Sequence, residues 1–501
     1  MKKFLLLLTL PFLMMGCNDD NPEVKYIIIL DGISYNLTEE AYTNLSEYLE
    51  FLSAYYANED NSETIITDIK TLIADGFDKK LKDENDVITQ NDVEVAIKEI
   101  QESKDLSNST LPGLEEAKYA PLTIMAYLIA NNNLDDDLLA NIGAMYDGLA
   151  QMTKPAVVFI YWDGQSSIGS NKSKHLILKY ETDGKGNING TPALNLDYTL
   201  DAILDEGEIV KEYTTQLSSN KDVMSKVITD MIAMSPTSKY GLIFGSHASS
   251  WLNTIFTSRA FGQDGSGTDN TMLIPDMANA LKSTGKTFDF ILFDACYMAT
   301  TEVAYMFREV ANYQLASVME VPAYGFPYED FMKDLYTGTV EGYKAACQSY
   351  IEYYQSLYQN GSYAWATVTL TDSKEMTNLT NELKKEITAH KDVLADYDSS
   401  SLQEYGKNSG PYIAVDLGHL VEDLNGGTLP ASFKTQLDKT VLYKGCLEKA
   451  SPSNYAVKAA NYSGLGIYVP VEERPKWNQY FKTLDWYTAS GWNEVTFSWD
   501  F

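Results

Sequence analysis

The chain has 501 residues, room for roughly two to four folding units at about 150 residues each. Its 38 Lys and Arg stand against 70 Asp and Glu, a formal net charge of −32; such a field repels nucleic acid and anionic headgroups and attracts basic peptides, so nucleic acid is excluded as a partner. An apolar fraction of 45% with 35 Tyr excludes a largely disordered chain, because that composition can offset the entropy lost on folding.

Met1-Lys2-Lys3 is a short positive stretch, followed by the apolar run Phe4 to Met15 and then Gly16-Cys17, the layout of a secretory signal. The run is too short to hold the chain as a bilayer span. Met14-Met15-Gly16-Cys17 resembles a bacterial lipobox, with Met14 where Leu is commoner; the resemblance implies cleavage before Cys17 and a lipid on its thiol. Residues 1–16 therefore read as a lipoprotein signal peptide and residues 17–23, with Asn18-Asp19-Asp20, as an acidic tether. This predicts a protein of the cell envelope held to the membrane by a lipid anchor, at the outer membrane or cell surface. The plainer alternative is an ordinary signal peptide with an incidental Cys. Three cysteines remain, Cys296, Cys347 and Cys446, and an odd number cannot all pair, so an exported chain keeps at least one free thiol.

Tyr26 to Leu30 and Ile33 to Leu37 read as two strands around Asp31-Gly32, a spacing that signals a tight hairpin. Leu45, Tyr48, Leu49, Leu52 and Tyr55 recur at helical spacing, as do Ile65, Ile69, Leu72, Ile73 and Phe77. Thr89 followed by Asp92 suits the start of a third helix carrying Val93, Ile97 and Ile100. Residues 24–102 thus form a small ββααα domain. In length and pattern it is similar to a domain at the front of some phage-shock-type bacterial membrane proteins, which implies a spacer or docking module and no chemistry. Residues 103–121 hold Ser, Asn, Pro and Gly without periodicity and read as a linker.

Beyond it, Thr123 to Ala130, Ala156 to Tyr161, His175 to Tyr180, Tyr240 to Phe244 and Phe288 to Phe293 read as apolar strands, with helices at Leu134 to Leu149 and Met277 to Leu281. That alternation predicts an α/β fold with a mostly parallel sheet covered by helices.

Two of these strands end in unusual loops. Leu242-Ile243-Phe244 runs into Gly245-Ser246-His247-Ala248-Ser249-Ser250-Trp251, and Ile291-Leu292-Phe293 runs into Asp294-Ala295-Cys296-Tyr297-Met298. Active sites of open α/β sheets lie at the carboxyl ends of strands, so an imidazole and a thiol are presented there, from positions 247 and 296. A His about 50 residues ahead of a Cys is the caspase order. A thiol needs such a partner, because the thiolate is the nucleophile and a nearby imidazolium both favours it and protonates the leaving amine. Taken singly, a Cys or His beside a strand reads more simply as core; their joint placement at two strand ends is what points to catalysis.

The Ser246-His247 loop through Trp251, with Phe293 to Ala299 and Glu302-Val303-Ala304, resembles the clostripain family of cysteine peptidases. Tyr127 to Leu134, Ala316 to Tyr328, and Gly464 to Pro470 through Gly491-Trp492 resemble further stretches of that family, and coverage runs from Leu122 to the C-terminus. Residues 122–420 are read as the peptidase core and residues 421–501 as its C-terminal extension. The resemblance implies a caspase-like fold and cleavage of protein or peptide substrates after Arg or Lys by a His247–Cys296 dyad, with the backbone N–H groups of Ala248 and Cys296 as the oxyanion hole. It also implies that Asp294 lines the S1 pocket; the alternative is a carboxylate capping its loop. Two departures stand out: Ala248 where the family commonly has Gly, and Asn131 where its first strand often carries Asp. Similar enzymes often cut themselves between the His and Cys strands, and Arg259, in a stretch of small and polar residues, is the candidate processing site. The rival class is a surface lipoprotein that keeps the fold as a non-catalytic peptide- or protein-binding module.

Other chemistries lack their residues: no HExxH, paired CxxC, P-loop or GxSxG occurs. His175, His390 and His419 read as structural or surface residues. No cofactor is expected to be required and no metal ligand is assigned, with calcium the one candidate, because Asp264 to Asn270 is acidic and Gly-rich and some members of the family need that ion. The segment lacks the terminal Glu of an EF-hand, and a solvated turn is the simpler alternative.

Overall fold

The computed structural model describes residues 26–82, 86–102, 111–165, 168, 175–195, 199–252, 261–265, 270–406, 412–452 and 454–499. Cys17 and Arg259 lie outside them. The chain divides into two compact units, the first running to Leu122 together with Pro236–Ser238 and Thr337–Thr339.

In the first unit, β1 (Tyr26–Leu30) and β2 (Ile33–Leu37) pair antiparallel. Their turn residues Asp31 and Gly32 have φ of 49° and 79°, the left-handed pair that an Asp-Gly turn accommodates best. α1 (Glu39–Tyr55) starts at Thr38, whose hydroxyl accepts from Ala41 N at 3.3 Å. α2 (Ser62–Asp78) follows, and β3 (Val87–Ile88) adds parallel to β2. α3 (Gln90–Glu102) is capped by Asp92, which accepts from the Thr89 amide at 3.0 Å and hydroxyl at 2.6 Å. The apolar stripes meet in one core around Leu45, Leu52, Ile69, Ile73, Phe77, Val93 and Ile97. Leu111 joins that core, and Tyr48 Oη donates to the Pro112 carbonyl at 2.8 Å, so the segment after residue 110 is packed against this unit and is not a free tether.

The second unit is built on an eleven-stranded sheet. Its strands in chain order are β4 (Thr123–Ala130), β5 (Ala156–Gly164), β6 (His175–Thr182), β7 (Asn187–Ile188), β8 (Thr191–Pro192), β9 (Glu208–Glu212), β10 (Tyr240–Gly245), β11 (Phe288–Asp294), β12 (Ala311–Ala316) and β13 (Ala366–Asp372), joined by β16 (Val441–Leu447). A small separate sheet holds β14 (Glu404–Tyr405), β15 (Ala414–Asp416) and β17 (Gly466–Ile467). The spatial order of the large sheet is β16-β13-β12-β11-β10-β4-β5-β6-β7-β8, with β9 on β6. β5, β4, β10, β11 and β12 run parallel; β6 and β13 flank them antiparallel, and β16 pairs antiparallel with β13 and so runs in the direction of the central strands again. Every residue of β4, β5, β10 and β11 is buried, which is why they read as unbroken apolar runs: helices cover both faces. α4 (Asp135–Ala150) packs on α9 (Tyr328–Leu335), which packs on α10 (Val340–Gln359). α6 (Lys221–Met234) packs on α7 (Ile274–Ser283), which packs on α8 (Thr301–Phe307); the short α5 (Leu200–Asp205) lies against α4.

Candidate active site

The chain leaves β4 through α4 to reach β5 on one side, whereas β10 leads through α7 to β11 on the other. β4 and β10 therefore flank the point where the winding reverses, which in open α/β sheets is where ligands bind, outside the carboxyl ends of the strands. Gly245, the last residue of β10, is paired with Asp294, the last of β11, and with Leu128 of β4. His247 and Cys296 each stand two residues beyond that Gly245–Asp294 pair, on strands about 4.8 Å apart. The two loops then run on together: Ser250 Oγ and Thr300 Oγ1 are hydrogen-bonded at 2.7 Å.

Both loops are held in costly backbone. Ser250 and Tyr297, neither a glycine, have φ of 57° and 62°, a region that such residues occupy only when their surroundings insist. Tyr297 N donates to Met319 O at 2.9 Å and Ala299 N to Ser317 O at 2.9 Å, while Asn454 Nδ2 reaches the Tyr297 hydroxyl at 3.1 Å. From behind, Gly466 N donates to Ala299 O at 3.0 Å. Glu302 accepts from Tyr468 N at 2.8 Å, and burial pushes its carboxyl up to about 7. The stretches around Cys296 and Gly464 to Pro470, far apart in sequence, are thus one construction.

His247 is 6% exposed. Its Nε2 lies 2.8 Å from Asn133 Oδ1, and its carbonyl accepts from Gly262 N at 3.0 Å. Cys296 is partly exposed, and its Sγ lies 4.0 Å from the Val321 carbonyl. The other two described thiols differ: Cys347 is buried on α10, which pushes its thiol up, and burial pushes Cys446 on β16 up to about 11. Ala248 is buried at 4% exposure, so its methyl group is packed into the protein.

Asp294 accepts from the Tyr328 hydroxyl at 2.9 Å, Asn141 Nδ2 at 3.3 Å and Phe326 N at 3.5 Å. Burial outweighs these donors and pushes its carboxyl up to about 6. Gly325 has φ +67°, and a Cβ there would come within 2.6 Å of Asp294 Oδ2, so a glycine is needed both for the turn and for the close approach. Tyr328 and Asn141 carry no sequence signal for this role, because the pairs are formed across 34 and 153 residues.

Of the acidic Asp264 to Asn270 segment, residues 266–269 lie outside the described set. Asp264 accepts from Asn131 Nδ2 and from Ser218 N, both at 2.8 Å, so its two oxygens already serve protein donors. Among the described residues no group of three or more His, Cys, Asp and Glu is arranged to hold a metal ion. Asn131 thus acts as a strut to Asp264. His175 Nε2 lies 3.3 Å from Asp163, its partner across β5 and β6. His390 Nδ1 lies 2.9 Å from the Glu386 carbonyl, and His419 Nδ1 accepts from Gln403 N at 3.0 Å; these two contacts fix local structure.

A model of the clostripain family matches residues 126–499. Clostripain of Hathewaya histolytica is 23% identical over 263 residues, which is 48% of this chain and 46% of that protein, so the match spans less than half of that relative. Among solved structures, the inactive zymogen C11 protease of Parabacteroides distasonis is similar at 26% identity and a TM-score of 0.58, over 74% of this chain and 98% of that one. A secreted C11 cysteine protease of Bacteroides thetaiotaomicron, solved with an irreversible peptide inhibitor, shares the fold at 24% identity and a TM-score of 0.59, over 74% and 99% of the two chains. With the family model running from β4 almost to the C-terminus, over a sheet whose reversal point carries the His and Cys loops, the chain belongs to the clostripain family of C11 cysteine peptidases.

Proposed function

We propose that this protein is a cysteine endopeptidase that cleaves after Arg or Lys, with His247 and Cys296 as its catalytic pair. The observation that carries the reading is the register of β10 and β11, which starts the His247 and Cys296 loops level with each other. The Cys296 thiolate attacks the carbonyl carbon of the scissile bond, and the N–H groups of Ala248 and Cys296 receive the developing oxyanion. The imidazolium of His247 gives its proton to the leaving amine as the C–N bond breaks. Water, deprotonated by the now neutral His247, then attacks the thioester and releases the thiol. Asp294 is the S1 group for the basic side chain, and the strongly acidic chain concentrates cationic peptides around it. A form lacking residues 1–20, assayed in reductant against arginyl, lysyl and neutral fluorogenic peptides, with calcium or with chelator, tests the reading: cleavage after Arg and Lys is expected, and equal cleavage after neutral residues would remove the basic preference.

We also assign a lipid to Cys17, supported by Met14 to Gly16 and the apolar run before them. No helix among the described residues is long and apolar enough to cross a membrane. Labelling with a fatty-acid probe is expected to mark the wild type, while Cys17→Ala takes no label and leaves the envelope membranes in soluble form; an unlabelled wild type would contradict the assignment. The same reading places an activating cut after Arg259. It is supported by the basic preference and by the description of the Parabacteroides distasonis relative as an inactive zymogen. Intact mass of active protein should show a break after Arg259 that disappears in Cys296→Ala, and a fully active single chain would exclude the requirement.

A further inference from the structure

We infer that Asn133 is the positioning residue that sets the tautomer of His247, making the site a three-part Asn133–His247–Cys296 array at three consecutive strand ends. The inference rests on the dyad reading above. Asn133 follows β4, His247 follows β10 and Cys296 follows β11, and β4, β10 and β11 are neighbours in that order. Asn133 belongs to a run of three Asn whose first two members are scaffolding. Asn131 Nδ2 donates to Asp264 Oδ1 at 2.8 Å. Asn132 Nδ2 donates to the Ile129 and Gln263 carbonyls at 3.0 and 2.8 Å, while its Oδ1 accepts from Leu134 N at 2.9 Å. The turn is thereby fixed, and the third amide is delivered to the imidazole, Oδ1 to Nε2 at 2.8 Å.

An amide oxygen facing Nε2 can only accept, so Nε2 carries hydrogen and Nδ1 is the nitrogen left to exchange a proton with the thiol. The same contact satisfies Nε2–H when the ring is charged, which steadies the thiolate–imidazolium pair. A neutral amide orients the ring without holding its proton as tightly as a carboxylate would, and the ring must release that proton to the leaving amine. Of the other ionisable groups described near these strand ends, Cys296 is the partner and lies beside Tyr297, Asp294 is turned to Tyr328, Asn141 and Phe326 N, and Asp264 serves Asn131 and Ser218 N beside the buried Asp163.

The test uses the full chain with Asn133→Ala, Asn133→Asp and Cys296→Ala, reading kcat/KM and the rate of thiol alkylation by iodoacetamide against pH. Asn133 is solvent-exposed, so melting temperatures should match the wild type. Asn133→Ala is expected to lower kcat by about 10- to 100-fold with KM little changed, a loss typical of removing an orienting partner. Asn133→Asp places a carboxylate on Nε2 and stabilises the imidazolium, so the alkaline limb of both profiles should move up by about one pH unit. Unmoved limbs in Asn133→Asp, with Cys296→Ala inactive, would overturn the role of Asn133 while leaving the dyad intact. Turnover surviving in Cys296→Ala would overturn the dyad itself, and with it this inference.

Discussion

Cys296→Ala and His247→Ala are each expected to lower turnover of arginyl and lysyl peptides by roughly 10⁴-fold or more, the scale seen when one member of a concerted nucleophile–base pair is removed. In the proposed mechanism the thiolate makes the new bond, and Ala has nothing to replace it; without the imidazole, the thiol would stay protonated and the leaving amine would have no acid. Neither change should unfold the protein, since Cys296 is partly exposed and the His247 loop is independently tied by Ser250, Ser246 and Gly262. Alkylation gives a readout that does not depend on finding a substrate. At pH 7 a thiol pushed up to about 11, as at Cys446, is ionised to about one part in 10⁴, and buried Cys347 is still less reactive. In a form lacking residues 1–20, brief iodoacetamide treatment should therefore add one equivalent, at Cys296, and His247→Ala should slow that addition. Rapid labelling at Cys347 or Cys446 instead, or full turnover by Cys296→Ala, would show that the nucleophile has been misassigned.

Much of this architecture is legible in sequence because the signals are local. Asp31-Gly32 demands a left-handed turn, and Thr89 with Asp92 writes its own helix cap. Strands buried on both faces appear as unbroken apolar runs, and the two strands that end in Ser-His and Asp-Ala-Cys announce where the crevice lies. What stays hidden depends on pairing across the sheet. β13 interleaves Thr with apolar residues and β16 carries Lys444-Gly445 in mid-strand, so neither appears as the unbroken apolar run that marks the central strands. Asn133 is the exposed last residue of a run of three Asn, a composition that suits an ordinary turn. It gains its meaning only because β4 is the neighbour of β10, an adjacency made by a chain that visits β5 to β9 in between. The support under Asp294 is hidden for the same reason: Tyr328 and Asn141 come from α9 and α4, two helices that pack together only in the folded unit.

Asp294→Asn is expected to abolish the preference for Arg and Lys and, at the same time, to make the protein more stable at pH 8. Asp294 is 7% exposed, and burial pushes its carboxyl up to about 6 despite three donors. The folded-state value lies above the unfolded one, so the protonated form is the one the fold favours. Its contribution to stability is complete below about pH 4 and is lost as pH rises through about 6. Above that, keeping the carboxylate ionised costs on the order of 2–3 kcal/mol. Asn keeps an oxygen for the Tyr328 hydroxyl and removes the charge, so the melting temperature of Asp294→Asn should exceed that of the wild type at pH 8 and approach it near pH 4. In the S1 role proposed for Asp294, a buried charge is what a cationic side chain would match: pairing in a desolvated pocket is worth several kcal/mol of discrimination, against almost nothing at an exposed site. The same titration should be visible in selectivity. The ratio of kcat/KM for an arginyl peptide to that for a neutral peptide cancels the ionisation of Cys296 and His247, which both substrates share. It should climb as pH rises through about 6 in the wild type, and it should be flat and reduced by roughly 10²- to 10³-fold in Asp294→Asn. A ratio independent of pH in the wild type, with selectivity unaltered in Asp294→Asn, would mean that Asp294 only caps the turn around Gly325 and that the basic side chain is held elsewhere.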